Sequence, residues 1–480
     1  MRAEKRILTN TAVLGVGEAV GQVASFVFVV VVGRAYGAGV LGWYSLGMAA
    51  GAMATVLVTL GTHSLLLREL AQRPEESARR IGGTLPYQLA ASLLILAVLI
   101  GALAAFVEDS TGRWVVATLI VYHLLVTATA LLLIPFRARQ IMWPSAVTGA
   151  ALRAVAVIAA VALIGLGFSA GPVFTVFPVT AVVTAIVVFV AANRFLGTRI
   201  AQRINAPAAQ RALYAESMPF FGSAVLDTLY ARLGLLMLTI IVSAESAGIF
   251  TAAERLLLIV SVLRLLFMGA LYPAVAHFAA VDRDRALELS NRSMRLILVL
   301  TVPAAGLLAI FHREIIALMF GAAFAESALV LVLLTPLLII RGINGLWLTQ
   351  AIAIGLQASV FRARALMVAV FVASGSILVT LAGPTGLAWA LLIAESVQIA
   401  ALHALLVKEG FLARAFPVLV RPLLAVAAGT AAYVGLAAVA LPLRAAGVIA
   451  VLGAAMFATG AVRMHDLMFL RSILKQSSPS

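Results

Sequence analysis

Fourteen apolar stretches, separated by short polar gaps, run the length of this 480-residue chain. They lie at roughly 9–33, 41–63, 83–107, 113–135, 145–167, 172–194, 217–242, 246–272, 292–312, 325–350, 362–382, 386–407, 419–440 and 445–464. About 20 apolar residues in a helix cross the hydrocarbon core of a bilayer. Such a helix satisfies its own backbone hydrogen bonds in lipid, which irregular backbone cannot do. The pattern predicts an all-α polytopic membrane protein with 14 transmembrane helices. Arginine gives the orientation. With a cytoplasmic N-terminus, the inner segments collect 25 of the 34 lysines and arginines, while the outer gaps hold only Arg34, Arg113, Arg313 and Arg444. Basic residues gather on cytoplasmic loops, so both termini are expected inside a multi-pass cell (cytoplasmic) membrane protein.

Composition removes several function classes. The chain is 63% hydrophobic, against about 45–50% in soluble domains. Its net charge of +15 sits in short inner gaps that would face anionic lipid, so nucleic acid is not an expected partner. There is no cysteine, which excludes disulfides, thiol chemistry and cysteine-bound metal. The six histidines (63, 123, 277, 312, 403 and 465) show no ligand spacing, so neither a metal nor a cofactor is expected. Outer gaps are too short to hold an acidic catalytic loop, and no nucleotide-binding motif occurs, so the chain does not read as an enzyme and has no catalytic residues to assign. Met1 to Thr9 is basic and leads into a long apolar run, which reads as a first membrane helix and not a cleaved signal peptide. Trp43, Trp114, Trp143, Trp347 and Trp389 all fall near predicted membrane edges, where indole acts as an interface anchor.

The longest polar break, 195–216, divides the chain into an N-lobe of six helices (1–194), a cytoplasmic inter-lobe linker (195–216), a C-lobe of six helices (217–407) and two trailing helices with a short tail (408–480). The tail ends in Ser477-Ser478-Pro479-Ser480 and is expected to be a disordered cytoplasmic end. A faint internal echo accompanies the division. Gly42-Trp43-Tyr44-Ser45 opens the second span and Gly248-Ile249-Phe250-Thr251 opens the eighth. Duplicated halves are a common transporter plan, with two lobes around a central cavity.

Several short motifs, in order along nearly the whole chain, resemble the oligosaccharide (Wzx-type) flippase family of the multidrug/oligosaccharidyl-lipid/polysaccharide exporter superfamily. They are Val32-Gly33-Arg34-Ala35-Tyr36-Gly37, Gly42-Trp43-Tyr44, Gly61 with Leu67-Arg68-Glu69-Leu70, and Pro219-Phe220. Next come Ala247-Gly248-Ile249-Phe250-Thr251-Ala252-Ala253-Glu254-Arg255-Leu256, Ile315-Ile316-Ala317-Leu318-Met319-Phe320-Gly321 with Phe324 and Ser327-Ala328, and Gly383-Pro384-Thr385-Gly386-Leu387-Ala388. One step departs: Arg232-Leu233-Gly234 keeps an arginine of the family pattern but puts glycine where an acid is usual, and the nearby acid is Asp227. The resemblance implies transfer of a lipid-linked (polyprenyl-diphosphate) oligosaccharide from the inner to the outer leaflet by alternating access between two helical lobes. It also implies partners: the lipid-linked substrate, membrane lipid, and glycosyltransferases or a polymerase of a surface polysaccharide or lipopolysaccharide pathway. Two other readings stay open at this stage, a cation-coupled multidrug exporter of the same superfamily and a non-transporting scaffold of a glycan assembly complex.

Five arginines lie inside predicted spans: Arg153, Arg232, Arg255, Arg264 and Arg341. A charge at a helix centre costs about 2.5–3.5 kcal/mol on insertion scales, so each is a substrate-binding candidate. A guanidinium stays charged when buried and binds phosphate bidentately, as a diphosphate headgroup requires. Arg255 lies near mid-bilayer and Arg232 in the outer half of its span. The other three lie nearer the inner end, where they could snorkel. Arg255 and Arg264 are nine residues apart, on opposite faces of a straight helix. Asp227, Glu18 and Glu254 are the ion-coupling candidates, because desolvation lets a carboxyl exchange protons. Glu395, also within a span, reads as a structural ion-pair partner. Pro303 and Pro336 are expected to kink the ninth and tenth spans.

Overall fold

The computed structural model describes residues 2–196 and 207–462, and the side chains within them except those at 2–14, 16, 18, 151, 207–209, 259–270 and 272–274. Among the described residues it is helical with no strand. The helices are, in order, α1 (Arg2–Thr59), α2 (Thr62–Gln72), α3 (Ser77–Phe106), α4 (Ser110–Ala138), α5 (Trp143–Gly165), α6 (Ala170–Leu196), α7 (Pro207–Met237), α8 (Ala244–Val281) and α9 (Arg283–Ile310). They continue as α10 (His312–Phe320), α11 (Ala325–Leu334), α12 (Pro336–Ala353), α13 (Gln357–Lys408), α14 (Phe416–Gly435) and α15 (Leu441–Ala458). Residues 197–206 of the 195–216 linker and the chain after Val462 lie outside the described residues.

Eleven helices among the described residues are long and apolar enough to cross a membrane. Two of them carry a pair of predicted spans each. α1 turns at Gly37 (φ 79°, ψ −175°) and α13 at Gly383 (φ 54°, ψ −127°), torsions that a Cβ would disfavour and glycine accepts. α8 runs through the eighth predicted span. The two prolines behave differently. Pro303 stays inside an uninterrupted α9, while Pro336 takes the first position of α12 and ends α11 before it. At that first position the missing N–H is no loss.

The chain forms two compact units, Met1–Ala252 and Ala253–Ser480. In the first, α1 packs along α4, α5 and α7, and α4 along α6. Asp109 caps α4, its carboxylate accepting from the N–H groups of Thr111 and Gly112 at 3.0 Å. An aromatic cluster of Phe28, Tyr44, Tyr122, Phe174 and Phe177 fills the space between α1, α4 and α6, with ring centroids 5.0–6.2 Å apart. In the second unit, α9, α12, α13 and α14 enclose a core around Trp347 and Leu346.

Trp347 corrects one expectation. It is fully buried and donates its indole N–H to the carbonyl of Ala413 at 3.0 Å, so it is a core residue and not an interface anchor. Trp114, Trp143 and Trp389 are about half exposed or more, as an interface anchor would be.

Candidate functional site

The internal echo acquires a geometry in the first unit. A Cβ built on Gly42 would lie 1.6 Å from the carbonyl oxygen of Ala244, and one built on Gly248 would lie 1.9 Å from that of Ala38. Each helix thus offers a carbonyl at one position and a glycine four residues later, and each glycine receives the other's carbonyl. Both pairs are related by the same 206-residue offset that separates Ser45 from Thr251, whose hydroxyls share a hydrogen bond of 2.7 Å on the same contact. Only hydrogen fits on either glycine. The crossing has the local form of a two-fold, as the duplicated sequence suggested.

The opposite end of α1 is joined by other motif residues. Leu60 (φ 44°) and Gly61 (φ 79°) break the helix before α2. A Cβ on Gly61 would meet the Ser217 carbonyl at 2.6 Å, and the Ser217 hydroxyl donates to the Leu60 carbonyl at 2.7 Å. Arg68 stacks over the Phe220 ring at 5.6 Å, and Glu69 pairs with Arg80 at 3.5 Å. The family-like motifs of this unit therefore mark the two places where α7 and α8 meet α1 and α2.

Between those ends lies a polar group of cationic character. Arg153, on α5, lies across α1 at Gly21, where a Cβ would come within 2.8 Å of Nη1. Its guanidinium hydrogen-bonds the buried phenol of Tyr122 on α4. The neighbouring His123 presses its ring on Gly51 of α1, where a Cβ would lie 2.4 Å from Cδ2. Arg153 and, from α7, Arg232 both act electrostatically on this imidazole. Thr127, one turn along α4, bonds Thr55 at 2.9 Å and continues the polar strip. Two guanidinium charges thus act on one imidazole within this strip.

The remaining candidates separate. Arg341, in the second unit, donates from Nε to Glu395 at 2.8 Å, and Asn344 donates to the other carboxylate oxygen at 2.7 Å. Both oxygens of the buried Glu395 are thereby engaged by α12. Arg255 is half-buried on α8, and its buried Nε has no hydrogen-bond partner among the described residues. Glu254 is half-buried, whereas Asp227 is exposed and does not belong with the buried acids. The side chains of Glu18 and Arg264 lie outside the described residues. No group of three His, Asp or Glu capable of holding a metal occurs among the described residues.

Sequence reasoning missed Tyr122 and His123. The available signal was the glycine spacing on the facing helix: Gly17 and Gly21, then Gly47 and Gly51, each four residues apart and able to admit a bulky neighbour.

Among solved structures, a lipid II flippase MurJ in an inward closed conformation is similar over 95% of this chain and 99% of its own, at 14% identity with a TM-score of 0.72. An inward-facing MATE-family multidrug transporter is similar over 83% and 97%, at 14% identity and 0.57. The MATE multidrug transporter DinF-BH matches over 85% and 96%, at 16% identity and 0.59. At these identities the likeness is one of fold. No curated protein sequence matches the chain. The profile of a family described as polysaccharide biosynthesis protein matches residues 7–279. The chain belongs to the polysaccharide biosynthesis protein family and is a multi-pass membrane protein.

Proposed function

We propose that this protein moves a lipid-linked (polyprenyl-diphosphate) oligosaccharide from the inner to the outer leaflet by alternating access, for surface polysaccharide or glycan biosynthesis. The observation that supports the reading is Arg153 packed across Gly21 beside His123 at Gly51, with Arg232 of α7 adding positive charge at the same imidazole. A diphosphate carries oxygens that guanidinium donors match. Arg255 and Arg264 are proposed as further headgroup contacts, and Arg341 as a structural strut held by Glu395. Asp227, Glu254 and Glu18 are proposed as coupling acids. The sugar needs hydroxyl-matching groups and space, and the polyprenyl tail can remain in the bilayer. In this reading fourteen helices cross the cytoplasmic membrane with both termini inside, as two six-helix lobes, 1–194 and 217–407, joined by 195–216. The Gly42/Gly248 crossing is proposed as a contact that parts during the cycle.

The alternative, a cation-coupled multidrug exporter, is favoured by likeness to MATE transporters. Cationic drugs call for an acidic or aromatic pocket, and the Arg153–Arg232–His123 group opposes them. Leaflet transfer of a fluorescent polyprenyl-diphosphate sugar in liposomes holding the purified protein tests the choice, with and without a proton or sodium gradient. Transfer by wild type and its loss in a folded Arg255→Ala variant support the flippase. Export of a cationic dye with no lipid transfer would select the drug exporter.

A further inference from the structure

At the basic end of the second unit, a cavity of about 820 Å³ opens between the start of α9 and the α13–α14 link. It shares no residue with the group around His123. We propose that it is a seat for the headgroup of an anionic phospholipid from the surrounding bilayer. This inference does not rest on the transport reading.

The cavity is bounded by the link itself, residues 411–415, along which buried and more exposed side chains alternate. Phe411, Ala413 and Ala415 are buried in the core, while Leu412 and Arg414 line the cavity. Core groups fix that register. Gln350 donates to the Phe411 carbonyl at 2.9 Å and accepts from the Ala413 N–H at 3.3 Å, and Trp347 takes the Ala413 carbonyl. From α9, Asn291 accepts the Arg414 N–H at 2.8 Å. The opposite wall is one face of α9, since positions 288, 292 and 295 follow helical spacing. Glu288 there is ion-paired with Arg292.

The lining therefore carries three arginines, 292, 295 and 414, against one glutamate. The remainder is apolar, with Leu412, Pro417 and Val418 among its members. A phosphate ester with acyl chains matches both halves: guanidinium groups for the phosphate, and an apolar wall for the glycerol end of the chains. Basic pockets between membrane helices bind lipid headgroups by this chemistry. A free anion would use the arginines and leave the apolar wall without purpose.

The test is thermal unfolding of the full chain in detergent, titrated with short-chain phosphatidylglycerol, with phosphatidylcholine of the same chains, and with inorganic phosphate. The midpoint should rise with phosphatidylglycerol alone. Arg292→Gln and Arg414→Gln should each weaken that response by about fivefold, on the order expected per basic residue at an anionic lipid surface. Arg362→Gln, at an exposed position on α13, should leave it unchanged. Arg414→Gln preserves the fold, because the structural bond is made by its backbone N–H. An equal rise with phosphatidylcholine would reduce the site to an apolar cavity. A full rise with inorganic phosphate would make the ligand a free anion. Undiminished phosphatidylglycerol response in both variants would place binding elsewhere. Each of these three results overturns the proposal.

Discussion

The two units bury a guanidinium in different ways. In the second, Arg341 meets a carboxylate whose other oxygen is held by Asn344, so the charge is neutralised inside the fold and both partners are fixed. In the first, Arg153 meets a phenol, and Arg153 and Arg232 both act electrostatically on a neighbouring imidazole. A neutralised pair supports structure, because removing either member leaves a stranded charge. We propose that the second unit's arrangement is a strut and the first unit's a binding group, although both arginines stand alone in apolar stretches of sequence.

The largest effect expected from this contrast is on stability. Glu395→Ala should destabilise the protein, by up to about 3 kcal/mol, by leaving the half-buried Arg341 without its carboxylate. Unfolding in detergent checks it. The double variant Arg341→Met/Glu395→Leu should recover most of that loss and keep transport, if the pair is the strut proposed above. Loss of transport in a stable double variant would erase the contrast. In the first unit, Arg153→Gln and Arg232→Gln should weaken substrate binding by about 1.5–3 kcal/mol each, the range for hydrogen bonds to charged groups. Binding of a soluble diphosphate headgroup analogue, read by calorimetry, would show this as roughly a ten- to hundredfold weakening.

Smaller effects sharpen the picture of the crossing. Gly42→Ala should cost about 1–3 kcal/mol, as overpacking does, because its methyl would meet the Ala244 carbonyl. If the crossing parts during the cycle, the variant should also shift accessibility of nearby positions toward the open state, measured by thiol labelling of single cysteines placed in this cysteine-free chain. An unchanged labelling pattern would make the crossing a fixed joint. The smallest effect is Tyr122→Phe. It removes one hydrogen bond from Arg153 and should alter headgroup binding by about 0.5–1.5 kcal/mol in the same calorimetric measurement.

Much of the architecture was legible because membrane helices announce themselves by length and apolarity. The apolar runs lie on helices throughout the described residues, and the glycines at 37 and 383 fall at the turns between predicted spans. The echo at residues 42 and 248 was faint as text, yet it marks a symmetric contact, because close approach of backbone demands glycine whatever its neighbours are. Partner chemistry was much less legible. Depth along a helix gave Arg153 and Arg341 the same standing, since sequence does not say which helix faces which. Asp227 read as buried because its span is apolar, but the side chain is exposed. Trp347 read as an interface anchor because it lies near a predicted membrane edge, and it is a core residue because the 411–415 link folds over it. His123 carried no signal of its own. Its place depends on Gly51, on a different helix.

The most direct test of the central claim sets the two kinds of arginine side by side in one leaflet-transfer measurement. Liposomes would carry wild type, Arg153→Gln/Arg232→Gln, or Arg341→Met/Glu395→Leu, each confirmed folded, with a fluorescent polyprenyl-diphosphate sugar in the membrane. The account predicts transfer by wild type and by the Arg341/Glu395 variant, and none above protein-free liposomes by the Arg153/Arg232 variant. Transfer by the Arg153/Arg232 variant at the wild-type rate would contradict it.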